Sequence, residues 1–339
     1  MTSSRYMRFV ALAIPSLLIT HLLIWNRDVL PRPFNPSEAQ AVDPSDRPPL
    51  NNNTAIPGIT NKVWHSSKTT RLSDDQIKWV TSWTKKNPSF NHDLLTDASG
   101  DAFVRSHYSH TRPDIVDVYS ALPIPILKAD LLRYLIVLAE GGIWSDLDVT
   151  CDKDVAHWVP EEFKDQTIDM IVGLEFDLEW RGTETQVASQ FCNWVFAARP
   201  SSRNLQVVVD AVVRKLIEIA AMNHVPMEKL ALDMLPIDVV DVTGPKIMTI
   251  ALLGGLQQLL GRPVDDRDFH AIKSPKLVGD LLIMPGNAFA SAQNGYPKDQ
   301  TDVLITHHYA GSWKDADKEA KERKKQQQQQ QNQKGSTGA

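Results

Sequence analysis

The chain has 339 residues, 42% of them hydrophobic and 23% charged, with a formal net charge of -5. This is globular composition with enough apolar material for a sizeable core. A net negative chain offers no global basic surface to neutralise a phosphate backbone, which excludes a general nucleic-acid binder.

Residues 1–8 include Arg5 and Arg8, and residues 9–26, "FVALAIPSLLITHLLIWN", are uncharged. At about 1.5 Å rise per residue that run is just long enough to cross a bilayer. No small-residue cleavage site follows it in "LIWNRDVL", and the leading arginines obey the positive-inside bias. The expectation is an uncleaved signal-anchor: a single-pass type II membrane protein with its catalytic part in a lumen. Residues 27–55, rich in Pro, Asn, Asp and Ser, read as a stem or linker, and Asn52-Asn53-Thr54 is a glycosylation sequon that fits a luminal location. At the other end, residues 317–339 form a charged and then glutamine-rich tail that buries too little apolar surface to fold alone. A disulfide between Cys151 and Cys192 is permitted in such a compartment, with two buried thiols as the alternative.

Between residues 56 and 316 short apolar runs alternate with helical stretches, which predicts an α/β domain with a mainly parallel sheet. "NKVWHS" reads as an opening strand. "SDDQIKWVTSWTKKNP" reads as a helix with Ser73 as N-cap and Pro88 past its end. "IPILKADLLRYLIVLAEGG" carries Leu127, Leu131, Leu135 and Leu138 on one helical face and stops at Gly141. "DMIVGLEF" and "DVLITHHY" read as buried strands, and beyond residues 9–26 no apolar run is read as long enough to span a membrane.

The glycine pair leads into "IWSDLDV", an expected strand end carrying Asp146 and Asp148. Residues i and i+2 of an extended segment face the same side, so two carboxylates converge there. Like charges this close raise one another's pKa unless a cation or donors intervene. A divalent ion with oxygen ligands would be one such cation, and a solvated acidic turn is the plainer reading; Asp152 and Asp154 are read as that. Upstream, Lys128, Asp130 and Arg133 lie on the preceding helix, either as a wet intrahelical ion pair or as a surface for sugar hydroxyls. Downstream, "HHYAGSWK" offers His307 or His308 to a metal, and Ser312, Trp313 and Lys314 to a diphosphate.

In this order "NKVWHS", "NPSFNHDLLTD", "LKADLLRYLIVLAEGGIWSDLDV", "FCNWVFAARP", "VTGP" and "HHYAGSWK" resemble glycosyltransferase family 32, most closely its fungal initiation-specific alpha-1,6-mannosyltransferases of the Golgi. The resemblance implies a GT-A fold, a Rossmann-like nucleotide-sugar-binding sheet, over residues 56–316, with GDP-mannose as donor and Mn2+ as the metal. It implies transfer of mannose, with retention of configuration, to the core of an N-linked glycan on a Golgi glycoprotein. By position, Asp146 and Asp148 would be the catalytic D-x-D pair, with Asp148 and His308 on the metal and His307 the less favoured ligand. Trp64 would stack on the nucleotide base, Asp130 and Arg133 would hold the donor sugar, and Ser312 and Trp313 would touch the diphosphate. His65 and Trp144 depart from the Gln and Tyr common in the family, which leaves base selectivity less secure than fold.

Glu175 and Asp177 of "GLEFD" are candidates for placing the acceptor hydroxyl or stabilising positive charge, or are structural. Three rivals stand beside this reading. Within the family, inositol phosphoceramide would be the acceptor. "DLDVT" also satisfies the D-x-D-x-T opening of haloacid-dehalogenase-like phosphatases, with Asp265 and Asp266 imitating their later acidic pair. The third is a catalytically silent paralogue with a scaffolding role. Membership of a mannosyltransferase complex is not readable from the residues.

Overall fold

The computed structural model describes residues 54–179, 188–236, 238–297 and 299–310. The expected anchor, most of the stem including Asn52, and the C-terminal tail lie outside the described residues. In chain order the elements are β1 (Lys62–Ser67), α1 (Asp74–Lys86), β2 (Asn91–Thr96), α2 (Asp97–Tyr108), α3 (Pro113–Ala121), α4 (Pro125–Glu140), β3 (Gly142–Ser145), β4 (Val149–Cys151), β5 (Met170–Asp177), β6 (Ser189–Phe191) and β7 (Val195–Ala198). They continue with α5 (Arg203–Met222), α6 (Val239–Val242), α7 (Pro245–Leu260), β8 (Lys276–Val278), β9 (Leu281–Met284), α8 (Gly286–Asn294) and β10 (Ile305–His307).

A central sheet runs β2-β1-β3-β7-β5-β9-β8, with β6 joined to β5, while β4 and β10 form a separate antiparallel pair. The domain is α/β, but the sheet is mixed rather than mainly parallel. β1 is parallel to β2 and β3, and β5 to β9, whereas β7 is antiparallel to both β3 and β5. The connectivity explains the reversal: parallel neighbours need a crossover of a dozen or more residues, usually helical, and no described helix separates β5 from β6 or β7. β6 and β7 together act as one antiparallel return along β5, Phe191 opposite Leu174 and Ala197 opposite Ile171, broken at residues 192–194.

Strand alternation divides the core into two layers. Trp64, Trp144, Val172, Phe196 and Ile283 face one cluster with α3, α4, α5 and α7. Val63, Ile143, Ile171, Val195 and Leu282 face the other, with Trp83 of α1, Cys151 of β4, Phe289 of α8 and Ile305 of β10. α1 begins as expected, Ser73 and Gln76 exchanging side-chain-to-backbone bonds in a capping box. In α4 all four leucines of the expected face are buried. Cys151 and Cys192 are both buried and free, so the thiol alternative holds.

One apolar helical stretch was not expected. Val239–Leu260, spanning α6 and α7, is 22 residues with a mean hydropathy of 1.4 over its most apolar 18, long and apolar enough to cross a membrane. Half of its most apolar window is buried inside the domain, and it packs closely on α5, where a side chain at Gly255 would stand 3.0 Å from Val207. Its apolarity is thus met by core packing.

The turn from α4 to β3 rests on the glycine pair. Gly141 (φ 69°) and Gly142 (φ 102°) both lie in the left-handed region. A Cβ on Gly142 would fall 2.6 Å from the Lys62 carbonyl oxygen, where β3 passes β1. Gly142→Ala is therefore expected to cost about 2 kcal/mol or more, read as a lower denaturant midpoint at unchanged m-value. A second consequence concerns His65, 1% exposed, whose Nδ1 is 2.8 Å from the Ser145 carbonyl oxygen. Burial lowers its pKa to about 4. The unfolded chain then binds a proton that the folded chain refuses, so stability falls as pH drops from about 6.5 towards 4, by at most about 3 kcal/mol. His65→Gln should flatten that part of the stability-against-pH curve, and an unchanged slope would refute the assignment.

Candidate active site

The aspartates emerge where β3 ends. Asp146, Leu147 and Asp148 form a turn between β3 and β4 rather than the expected strand end, so the two carboxylates are placed by a bend instead of by alternation. The Asp146 N–H donates to the Trp194 carbonyl (2.8 Å), which ties the turn to the break between β6 and β7.

Each carboxylate has its own partners. Trp144 Nε1 donates to Asp146 Oδ1 (2.7 Å), and Arg133 Nη1 lies 3.4 Å from Asp146. Burial, with the charge of Asp148 adding, raises the Asp146 pKa against the pull of Arg133. His307 Nε2 lies 3.3 Å from Asp148 Oδ1, and the Ala310 N–H donates to Oδ2 (2.9 Å). Burial opposes ionisation of Asp148 too, but His307 and the Ala310 amide hold its pKa below the usual range.

The imidazole beside Asp148 is that of His307, not of His308. β10 pairs antiparallel with β4, His307 opposite Val149, so Ile305 and His307 share the inward side. His308 has the other orientation: its Nε2 lies 2.7 Å from Thr150 Oγ1 and its ring stacks on Trp79 at 4.6 Å. Only its backbone N–H meets the acidic turn, at the Asp148 carbonyl (2.8 Å). His307 is gripped by Trp194, stacked at 4.4 Å, and by Tyr309, edge-on at 3.9 Å. Tyr309 sits at φ 52°, a conformation costly for a bulky residue, and the bend it makes precedes the Ala310 amide on Asp148.

Asp130 and Arg133 are not a wet surface pair. They are 4% and 7% exposed, and Arg133 Nη2 lies 3.0 Å from Asp130 Oδ1. Arg133 Nη1 also donates to the Asn193 carbonyl (2.9 Å). Burial raises the Asp130 pKa, and although burial alone would lower that of Arg133, Asp146 and Asp130 raise it. Lys128 turns away to Asp101, 2.9 Å distant.

Trp64 requires a correction. Its ring, 2% exposed, is in the core against Phe103, and its Nε1 donates to the Gly141 carbonyl (2.9 Å), leaving no free face for a nucleotide base. Ser312 and Trp313 lie outside the described residues. Glu175 and Asp177 separate. Asp177 is committed to Ser189, to His270 Nδ1 (2.8 Å) and to the Ala271 N–H (2.7 Å), which fastens the 270 loop to β5. Glu175 accepts from Gln190 Nε2 (2.8 Å) and, more loosely, Gln293 Nε2 (3.4 Å); Gln293 in turn accepts from the Tyr309 hydroxyl. Burial raises its pKa. Asp152 accepts from Thr306 (2.7 Å), a tie between β4 and β10.

The phosphatase reading finds no support in these contacts. Asp146, its required nucleophile, is held by Trp144 and Arg133, and Asp266 accepts from the Ala188 and Ser189 amides (2.6 and 2.9 Å) as a structural clamp. Trp194 and Asn193, which sequence reading passed over, are central. Their only signal was their place in "FCNWVFAARP", between two apolar strands.

The chain is similar to known proteins around the acidic turn. Residues 73–164, from the cap of α1 through the acidic turn, match the family described as glycosyltransferase sugar-binding region containing DXD motif. The initiation-specific alpha-1,6-mannosyltransferase of Schizosaccharomyces pombe is 32% identical over 263 residues, covering 76% of this chain and 64% of that protein. The protein of the same name from Candida albicans is 27% identical, covering 70% of this chain and 67% of its own length. Inositol phosphoceramide mannosyltransferase 3 of S. pombe is 32% identical over 103 residues, 30% of this chain and 27% of that protein. The chain thus spans somewhat under two thirds of the first of these relatives. Residues 73–164 are thus similar to the DXD-containing sugar-binding regions of glycosyltransferases.

Proposed function

We propose that the chain is a GT-A mannosyltransferase that moves mannose from GDP-mannose to the core of an N-linked glycan, anchored in the Golgi membrane by residues 9–26. The observation that carries the reading is the acidic turn, with Asp146 on Arg133 and Asp148 on His307. The relatives support mannose transfer, and the likeness to an alpha-1,6-mannosyltransferase extends over 76% of the chain, that to an inositol phosphoceramide mannosyltransferase over 30%.

The donor set suits a divalent ion. Asp148 Oδ1 and His307 Nε2 are 3.3 Å apart, close to the roughly 3 Å that separates adjacent ligands of an octahedral ion about 2.1 Å from each. Among the described residues no group of three or more His, Cys, Asp and Glu forms a closed cage. Two protein ligands would leave positions for substrate phosphates, as Mn2+ or Mg2+ commonly use. Asp148 and His307 would hold it, in place of the Asp148 and His308 pair expected from sequence. When bound, such an ion supplies Lewis-acid stabilisation to a leaving diphosphate.

The remaining chemistry falls to the chain's own groups. Arg133 and Asp130 would meet the donor's sugar, their geometry fixed by burial before any substrate arrives. Asp146 would contact the ribose or a metal-held water, kept in place by the Trp144 indole. Glu175, desolvated beside the His307 and Tyr309 ring pair, is the carboxylate available to an acceptor hydroxyl or to positive charge on the sugar, whereas Asp177 is already spent on structure.

Asp148→Ala is expected to reduce kcat by about 100-fold or more and to abolish Mn2+-dependent GDP-mannose binding while leaving the circular dichroism spectrum unchanged. His307→Ala should raise the Mn2+ concentration for half-maximal activity by about tenfold or more, and His308→Ala should not; the reverse order would return the ligand role to His308. With labelled GDP-mannose, the full-length protein should label a high-mannose N-glycan in preference to inositol phosphoceramide. Release of phosphate from monoesters without labelling of either acceptor would overturn the transferase reading.

A further inference from the structure

Asp130 and Arg133 are two buried charges held in one geometry by a set of neighbours. Asp130 Oδ2 accepts from Thr243 Oγ1 at 2.8 Å. Its Oδ1 accepts from Asn193 Nδ2 at 3.2 Å and from Arg133 at 3.0 Å. The same Asn193 Nδ2 lies 3.2 Å from the Tyr134 hydroxyl, which donates to the Thr243 carbonyl at 3.0 Å. The Asn193 carbonyl takes Arg133 Nη1. Thr243 and Tyr134 are fully buried and Asn193 is 6% exposed.

These groups close a ring. It is assembled from α4, from the break between β6 and β7, and from the "VTGP" segment between α6 and α7. Thr243 is the distant member, contributed by a segment that otherwise bonds to α4 through the Tyr134 hydroxyl on the Thr243 and Gly244 carbonyls. Its hydroxyl is the one described partner of Asp130 Oδ2. Arg133 Nε, by contrast, is buried with no partner among the described residues.

We propose that Thr243 and Asn193 are positioning residues for the sugar half of the nucleotide-sugar donor, holding the Asp130 carboxylate and, through it, the Arg133 guanidinium. The proposal rests on Asp130 and Arg133 being sugar contacts. Two of its consequences are specific. Removing the Thr243 hydroxyl leaves a buried carboxylate oxygen unsatisfied, so Asp130 swings or takes a proton and loosens Arg133. The nucleotide half of the donor, which meets neither residue, keeps its affinity.

The test compares binding of GDP-mannose and of GDP by the full-length protein with Mn2+. Thr243→Val, which keeps the side chain's shape, should weaken GDP-mannose binding about ten- to hundredfold and leave GDP within about threefold. Thr243→Ser should restore GDP-mannose binding. Asn193→Ala should repeat the Thr243→Val pattern, and it serves if Thr243→Val does not fold. Asp130→Asn is the control for the underlying reading. If it leaves GDP-mannose binding unchanged, Asp130 is no sugar contact and both claims fall. If Asp130→Asn weakens GDP-mannose binding while Thr243→Val and Asn193→Ala do not, the positioning claim alone falls. Equal loss of GDP and GDP-mannose in Thr243→Val would show a role in folding only and would also overturn it. Combined with Asp130→Asn, Thr243→Val should add no further loss, since both act on one contact.

Discussion

Two aspartates two residues apart are the constraint around which this domain is organised. Left alone, their charges repel and burial penalises both. The fold answers with two separate partners: Arg133 from α4 for Asp146, and His307 from β10 for Asp148. Arg133 is shared with Asp130, so two carboxylates meet one guanidinium, and the acidic turn keeps the negative character that suits a cation. Burial leaves Asp146 less acidic than an ordinary carboxylate, while His307 and the Ala310 amide leave Asp148 more acidic, a division of character between two like groups.

Each partner is itself held by something bulky. Trp144 bonds to Asp146 through its indole N–H and has the Arg133 guanidinium 5.5 Å from its ring centroid. Trp194 stacks on His307 and offers its carbonyl to the Asp146 amide. Two tryptophans thus connect the acidic turn to both core layers, Trp144 in one and Trp194 in the other. The break between β6 and β7 matters for the same reason: an unbroken strand would have placed Asn193 and Trp194 in regular ladder positions, and the break frees them to reach α4 and β10.

The core supports this with little to spare at the crossing of β1 and β3. Gly142 passes against the Lys62 carbonyl with no room for a methyl group, and His65 one strand away is buried without its charge. Close packing of this kind fixes side chains to within the fraction of an ångström that a transferase site requires.

From sequence alone, the helix over residues 125–140 with its leucine face, the Ser73 cap, the glycine stop and the acidic pair were legible, because each is set by local periodicity or local backbone chemistry. The likeness of "GGIWSDLDV" and its surroundings to a glycosyltransferase family was legible for the same reason. Tertiary structure decided the rest. Whether His307 or His308 faced Asp148 depended on the register of β10 against β4, and a shift of one residue exchanges them. Trp64 looked available and is buried, because α2 and α4 cover the face of β1 on which it lies. The antiparallel course of β7, the burial of the Asp130–Arg133 pair and its tie to Thr243, 113 positions from Asp130 in the chain, are long-range contacts that no local pattern encodes.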